Sequence, residues 1–165
     1  MARSEAPNGG VRPPMETRNA EQVRSGLALL AIRVAGGTVF FYHGSGKLFG
    51  LFGGPGLAGF TEHSHLPAAV AFLVALAEFC GGVSLLTGVL TRLGAAAIIP
   101  VMLGAIFLVH GKNGFSLQQQ GYEYAFTLLL MAIALLMTGA GPYSLIRFLP
   151  DKFNPARSKP VARAE

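Results

Sequence analysis

The sequence predicts an all-α integral membrane protein, folded as a four-helix bundle with both termini in the cytoplasm. Three observations lead to this prediction. The 165 residues are 52% hydrophobic. Only 13% are charged, whereas a soluble domain has about 25% charged residues. Charges are sparse in four long apolar windows, and nine of the 13 Lys and Arg lie in residues 1–24 and 147–165.

The four windows define the predicted membrane spans. A helix needs about 20 mostly apolar residues to cross a ~30 Å hydrocarbon core, and backbone groups in lipid must bond within their own segment. The predicted spans are residues 27–43, 67–90, 93–110 and 122–139. They belong to one transmembrane domain, residues 25–145, which lies between an N-terminal tail, residues 1–24, and a basic C-terminal tail, residues 146–165.

The distribution of Lys and Arg predicts the orientation of the spans. Cytoplasmic segments carry an excess of these residues, and the two tails and Arg92, between spans two and three, supply it here. The other two loops hold one each, Lys47 and Lys112. Both tails are therefore predicted to be cytoplasmic and, because they lack hydrophobic periodicity, disordered. No basic stripe is interleaved with aromatic residues, so nucleic-acid binding is not expected.

The connection between spans one and two, residues 44–66, is rich in glycine yet also carries several Leu and Phe. A fully solvated loop would not expose so many apolar side chains. We therefore predict a short interfacial or re-entrant segment, which is tolerated at that depth only where protein or a wet cavity covers it.

Two charged residues interrupt apolar spans, Arg33 in span one and Glu78 in span two. Because the two helices are antiparallel, both charges are expected at similar depth, and an unpaired Arg at a helix centre is costly. Each is followed three and four residues later by two glycines, Gly36-Gly37 and Gly81-Gly82. Small residues allow close helix contact, so we predict an Arg33–Glu78 ion pair. Such a pair either stabilises the fold or lines a ligand or proton site.

A second polar cluster is predicted at the outer end of the bundle. It comprises Tyr42, His43, Lys47, His110, Tyr122, Glu123 and Tyr124. Each has an ordinary structural explanation, since Tyr is common at membrane interfaces and Lys side chains snorkel. Together they form a candidate pocket in which His and Tyr hydrogen-bond a quinone carbonyl and Glu carries protons.

Other cofactors are less favoured by the sequence. His43 and His110 are candidate axial ligands of a b-type haem, but both lie at span ends. Glu62, His63 and His65 could bind a metal together with His43, but their spacing is weak evidence. A solvated loop is favoured, so no metal site is predicted. Pro100, in the middle of span three, should kink that helix or free the carbonyl of Ala96. A single cysteine, Cys80, excludes an internal disulfide or a CxxC pair.

The order of several short motifs resembles the DoxX family of small bacterial and archaeal membrane proteins, over about residues 25–145. The motifs are Tyr42-His43-Gly44, Lys47-Leu48-Phe49-Gly50, Glu78 with Gly81-Gly82 and Gly88, Thr91-Arg92, His110, Asn113-Gly114-Phe115 and Gly121-Tyr122-Glu123-Tyr124. The resemblance implies a multi-pass protein of the cytoplasmic (inner) membrane. It also implies an association with quinone-linked thiosulfate oxidation or oxidative-stress complexes, in which the DoxX-type chain acts with a partner subunit.

The expected function is therefore that of a membrane subunit of a redox complex, at most one subunit of a quinone-linked oxidoreductase. The candidate ligand-binding residues are Arg33, His43, Lys47, Glu78, His110, Glu123 and Tyr124. One alternative is a non-enzymatic scaffold or anchor for a partner protein. Another is an oligomeric small-solute transporter, suggested by the repeated charge-x-x-Gly-Gly pattern.

Overall fold

The computed structural model describes residues 15–148, which are all helix, turn and connecting loop without strand. Its α-helices are α1 (Met15–Phe49), α2 (Gly56–Ser64), α3 (Ala68–Thr87), α4 (Thr91–Gly104) and α5 (Glu123–Thr138). A π-helical segment, Ala105–His110, continues α4. Short 3₁₀ turns lie between or after these helices, at Leu51–Gly53, Gly111–Asn113, Leu117–Gln119 and Leu145–Phe148. The all-α prediction is confirmed for this part of the chain.

Within residues 15–148, three helices are long and apolar enough to cross a membrane: α1, α3 and the continuous helical stretch Thr91–Asn113. They cover the first three predicted spans. The fourth prediction, residues 122–139, coincides with α5, which is apolar but has only 16 residues. The boundaries therefore follow the sequence closely at three of the four spans, and only α1 is much longer than its prediction.

The extra length of α1 corrects one prediction. Residues 15–24, predicted to be a disordered part of the N-terminal tail, form the first turns of this helix. Good helix formers such as Glu16, Glu21 and Gln22 allow the helix to extend into polar sequence, and Glu16 lies in its first turn, where a carboxylate favours the helix dipole. Residues 1–14 and most of the predicted C-terminal tail, from residue 149 onward, lie outside the described residues.

The core lies among α1, α3, α4 and α5. Helix α3 packs on α1 and on α4, and α4 packs on α5. Most of the buried apolar side chains come from α4 and α5, whereas α1 and α3 contribute Phe40 and Leu85 to the same cluster. The members from α4, its π-helical continuation and α5 are Ala95, Ile98, Met102, Ile106, Ala125, Leu128, Leu129, Ala132 and Leu135.

Helices α1 and α3 are in backbone contact because glycine faces the partner helix at each crossing point. A side chain at Gly44 would overlap the backbone of Phe79, and one at Gly82 would overlap the backbone of Phe41. A Cβ at Gly37 would lie 2.9 Å from the amide nitrogen of Leu86. The expectation that small residues bring these two helices together is confirmed, since both Gly37 and Gly82 belong to the predicted glycine pairs.

The pairing of α1 with α3 gives the molecule two ends. The tail end holds the start of α1, the α3–α4 connection and the segment after α5, where Gly26 meets Pro142 and Arg92 donates to the carbonyl of Met137. The loop end holds residues 50–67 and 111–122. At the loop end, residues 44–66 are more helical than a loop, because α1 continues to Phe49 and α2 packs against both α1 and α3.

Helix α4 continues through Pro100, the residue predicted to kink it. The α-helix continues without interruption to Gly104, and the backbone then changes to the wider π-helical form at Ala105–His110. Proline has no amide hydrogen to donate to the preceding turn. π-Helical turns are rare, and those that occur often lie at functional sites. The irregular part of the helix thus lies at the loop end, five residues after the proline.

Candidate functional site

The Arg33 side chain is held by four backbone carbonyls. Its Nε donates to the carbonyl of Leu85 at 2.8 Å and its Nη2 to that of Leu86 at 3.1 Å. Its Nη1 donates to the carbonyls of Ala140 and Tyr143, at 3.0 Å and 2.6 Å. The residue is only 1% exposed. Arg33 therefore binds α1 to the end of α3 and to the segment that follows α5.

The predicted Arg33–Glu78 ion pair is wrong, and the register of the two helices gives the reason. Gly44 faces Phe79, so Glu78 lies level with residue 45 of α1. That level is 12 residues beyond Arg33, or about 18 Å along the helix at 1.5 Å per residue. Both charges do lie near the middle of their own helices, but α3 packs on the second half of α1, with Gly37 against Leu86 and Gly44 against Phe79. Arg33 is therefore level with the C-terminal end of α3.

The carbonyls around Arg33 replace the missing counter-charge. Leu85 and Leu86 lie in the last turn of α3, where carbonyls have no partner within the helix and the helix dipole is negative. Gly88 ends this helix at φ +75°, and a side chain there would overlap the guanidinium of Arg33. Gly88 thus makes room for the arginine and supplies the left-handed C-cap. Sequence reasoning noted this glycine but gave it no role.

Glu78 forms its ion pair with Lys47. The ammonium Nζ lies 2.6 Å from both carboxylate oxygens of Glu78. The Glu78 side chain is 4% exposed and that of Lys47 is 23% exposed, so the carboxylate is enclosed while the lysine reaches a surface. The same ammonium lies 5.0 Å from the ring centroid of Phe60 on α2, within the range of a cation–π contact.

A cavity of about 190 Å³ opens beside this ion pair at the loop end. Its polar side chains are Tyr42, His43 and Lys47, all from the last turns of α1. Its walls come from one residue of α1, from the connection to α2 and from α2 itself. These wall residues are Gly46, Leu51, Phe52, Gly53, Gly54, Pro55 and Phe60. The loop end therefore combines aromatic walls with a cation, an imidazole and a phenol.

The aromatic wall is held in a defined arrangement. The ring of Phe52 stacks on that of Tyr42, with centroids 5.1 Å apart and planes at 18°, and the ring of Tyr42 meets His43 edge-on at 5.4 Å. Phe52 has φ +55°, a left-handed conformation that is strained for a bulky residue. Strained residues concentrate at functional sites, and this one lies directly at the cavity.

The other predicted site residues lie outside this cavity. His110 Nδ1 lies 2.8 Å from the carbonyl of Gln120, and Glu123 accepts a hydrogen bond from the amide of Leu117 at 2.9 Å. Both therefore hold the connection between α4 and α5, and Tyr124 is exposed on α5. The predicted outer cluster is divided into two parts, one around His43 and Lys47 and one around His110 and Glu123.

Sequence reasoning missed Phe52 and Phe60 as wall residues and missed the partner of Glu78. A signal for the partner was present, because Lys47 follows Gly44 by three residues and Gly37 by ten. Residues at these spacings share one face of a helix, the face that meets α3. The aromatic residues carried no such signal, since their positions depend on the path of the chain between α1 and α2.

A larger, open groove of about 520 Å³ lies at the tail end, between α1 and Pro142. Its polar side chains, Arg18, Glu21, Gln22 and Ser25, are all exposed. Among the described residues that line it, none is a buried polar group, so the smaller cavity beside the ion pair is the better candidate for a specific ligand.

The long apolar helices and the charged residues buried between them define a helical membrane protein. The DoxX family model matches residues 28–111. This chain is 32% identical over 114 residues, 69% of its own length and 81% of the other, to the Bacillus subtilis (strain 168) protein named "Putative oxidoreductase CatD". The chain belongs to the DoxX family, which confirms the resemblance.

A second relative is named for its location. "Inner membrane protein YqjF" of Escherichia coli (strain K12) is 29% identical over 127 residues, covering 77% of this chain and 95% of the relative. No solved structure matches this chain. The name of this second relative agrees with the membrane character of the fold.

Proposed function

We propose that this chain is the membrane subunit of a quinone-linked redox complex and that the cavity at the loop end holds the quinone headgroup. The observation that carries the proposal is the cavity itself, with three polar side chains and aromatic walls beside a buried ion pair. The name of the Bacillus subtilis relative supports the redox part of the proposal.

The residues around the cavity fit a quinone. Flat aromatic rings such as those of Phe52 and Phe60 offer stacking surfaces. The Lys47 ammonium, the Tyr42 hydroxyl and the His43 imidazole are hydrogen-bond donors for a carbonyl oxygen. When bound, a quinone would supply two-electron, two-proton chemistry. The protein would orient its headgroup, shield it from water with α2, and exchange protons at His43.

The proposal includes a partner subunit. The single cysteine, Cys80, excludes electron transfer by a dithiol pair within this chain, and we assign the group that exchanges electrons with the quinone to another subunit. The first turns of α1 offer a place for such a subunit. At 1.5 Å per residue, the 35 residues of this helix extend about 52 Å, well beyond a ~30 Å hydrocarbon core, and residues 15–25 are exposed on all sides.

We further propose that α1, α3, α4 and α5 each cross the inner membrane, with the tail end in the cytoplasm. Lys and Arg are concentrated in the two terminal tails and at Arg92, whereas the loop end has Lys47 and Lys112, as the positive-inside rule requires. The 16 residues of α5 are fewer than a span usually needs, but Tyr122 before it and Gly139 to Pro142 after it extend the apolar segment.

The quinone proposal is tested by photolabelling the purified chain in lipid nanodiscs with an azidoquinone, followed by peptide mapping. Label is expected within residues 42–60, and excess unlabelled quinone should remove it. H43Q should reduce labelling several-fold, while E123Q should preserve it because Glu123 binds the neighbouring loop and does not line the cavity. Label confined to residues 110–124, or label that unlabelled quinone does not displace, would contradict this site.

A non-enzymatic anchor is the second candidate, favoured by the exposed N-terminal part of α1. In that case the partner should bind regardless of the cavity. Deleting residues 15–24 should then abolish co-purification of the partner, whereas H43Q should have no effect on either the partner or any activity.

A further inference from the structure

The ion pair beside the cavity presents its positive end to any bound ligand. Lys47 lines the cavity, whereas Glu78 does not. The carboxylate of Glu78 is 4% exposed, against 23% for the lysine side chain. Two of the three N–H donors of the lysine are used by the two carboxylate oxygens, so one remains for another acceptor.

The geometry of this pair favours a negatively charged oxygen in the cavity. An oxyanion that accepts a hydrogen bond from Lys47 would lie about 3 Å from its nitrogen. The Glu78 carboxylate would be farther away, because Lys47 lines the cavity and Glu78 does not. Coulomb energy falls with distance and rises as the dielectric constant falls, so attraction by the lysine outweighs repulsion by the glutamate in this partly enclosed site.

The aromatic walls of the cavity favour a flat ring in the part of the ligand that does not contact Lys47. The stacked pair of Tyr42 and Phe52 and the ring of Phe60 form flat apolar surfaces. Aromatic walls alone would also attract organic cations, but the Lys47 ammonium at 5.0 Å from the Phe60 centroid already occupies that role. The cavity therefore discriminates against cations and favours flat rings that carry an acidic oxygen.

We infer that the loop-end cavity binds hydroxylated aromatic rings in their deprotonated, phenolate form, in preference to the neutral phenol. This inference deepens the proposed function, on which it rests for the location of the ligand. In a quinone-linked reaction it assigns Lys47 the role of holding the reduced headgroup after a ring hydroxyl has lost its proton. The proton leaves through the exposed His43 side of the cavity, and no electron is transferred in this step.

The test uses 4-nitrophenol, whose phenol and phenolate forms absorb at different wavelengths, bound to the full chain in nanodiscs and titrated with pH. Empty nanodiscs give the background from probe in lipid. The protonation midpoint of the bound probe is expected about one pH unit below that of the free probe, which corresponds to about tenfold tighter binding of the phenolate. A midpoint that is unchanged or raised in the wild-type chain overturns the inference.

Four variants assign the effect to Lys47. K47M and K47M/E78M should each lose the shift, and the double variant leaves no buried charge unpaired if K47M folds poorly. E78M keeps the lysine without its counter-charge and should enlarge the shift. K112Q, which removes an exposed lysine of the other loop, should retain the wild-type midpoint. A shift that persists in K47M/E78M contradicts the role of the lysine.

Competition with a short-chain benzoquinone separates this inference from the proposed function. If the quinone is displaced from residues 42–60 by nitrophenol but the probe shows no downward shift, the quinone site stands and the phenolate preference fails. If neither compound binds, both proposals fail.

Discussion

The Lys47–Glu78 ion pair provides the sharpest prediction, because its two members are unequally buried. K47M removes the only ion-pair partner that the structure gives Glu78 and leaves a carboxylate that is 4% exposed. Uncompensated buried charges cost about 3–5 kcal/mol. E78M leaves a lysine that is 23% exposed and whose flexible stem can turn to water. Its cost should be smaller, about 1–3 kcal/mol.

The double variant K47M/E78M should recover most of this loss. Replacing a buried ion pair with apolar residues of similar volume is often neutral or stabilising, so its free energy of unfolding should lie within about 1 kcal/mol of the wild-type value. The double-mutant cycle should then give a coupling energy of about 3 kcal/mol or more. The assay is reversible unfolding by sodium dodecyl sulfate in mixed micelles, followed by circular dichroism.

Two results would refute this reasoning. The burial argument fails if K47M is no more destabilising than E78M. The assignment of the ion pair is contradicted if the two single losses of unfolding free energy add in the double variant, since additive changes indicate that the side chains do not interact.

The remaining predictions concern Arg33 and the glycines between helices, measured by the same unfolding assay. R33K should lower the free energy of unfolding by about 3 kcal/mol, because lysine lacks the planar fork and loses at least two of the four charge-assisted bonds to carbonyls. R92K, at an exposed position with a single carbonyl partner, should change it by less than about 0.5 kcal/mol. G44A should destabilise by at least about 1–3 kcal/mol, since its methyl group meets the backbone of Phe79 and no side chain can move away. G104A, where nothing lies within 4 Å, should be neutral or stabilising by about 0.5–1 kcal/mol. Equal effects in either matched pair would contradict the packing argument.

The helices could be predicted closely because each depends on local composition. An apolar run of sufficient length must be helical in lipid, and three of the four predicted spans therefore match helices within a few residues. The N-terminal boundary of α1 was missed for the same local reason. Apolar composition marks only the part of a helix that lies in lipid, and it does not show where the helix continues into polar sequence. Residues 15–24 were therefore predicted to be disordered.

The candidate site shows a different pattern. The sequence identified Arg33, Glu78, His43 and Lys47 as unusual, because charged and titratable residues are costly in an apolar environment. It did not identify their partners. Arg33 and Glu78 both lie near the middle of a predicted span, which is why they were predicted to pair. A shift of a few turns between two antiparallel helices changes every partner along them, and the sequence contains no measure of that shift.

The sequence by itself determined the all-helical membrane architecture, the family and the residues whose charge must be compensated, since these follow from composition and from the cost of burying charge. The tertiary structure decided which groups compensate them. The backbone contact at Gly44 and Gly82 sets the register of α1 against α3. That register places Arg33 beside the carbonyls at the end of α3 and gives Glu78 the ammonium of Lys47. It also places the lysine beside Phe60 at the cavity, because such contacts join residues that are distant in sequence and depend on how the helices meet.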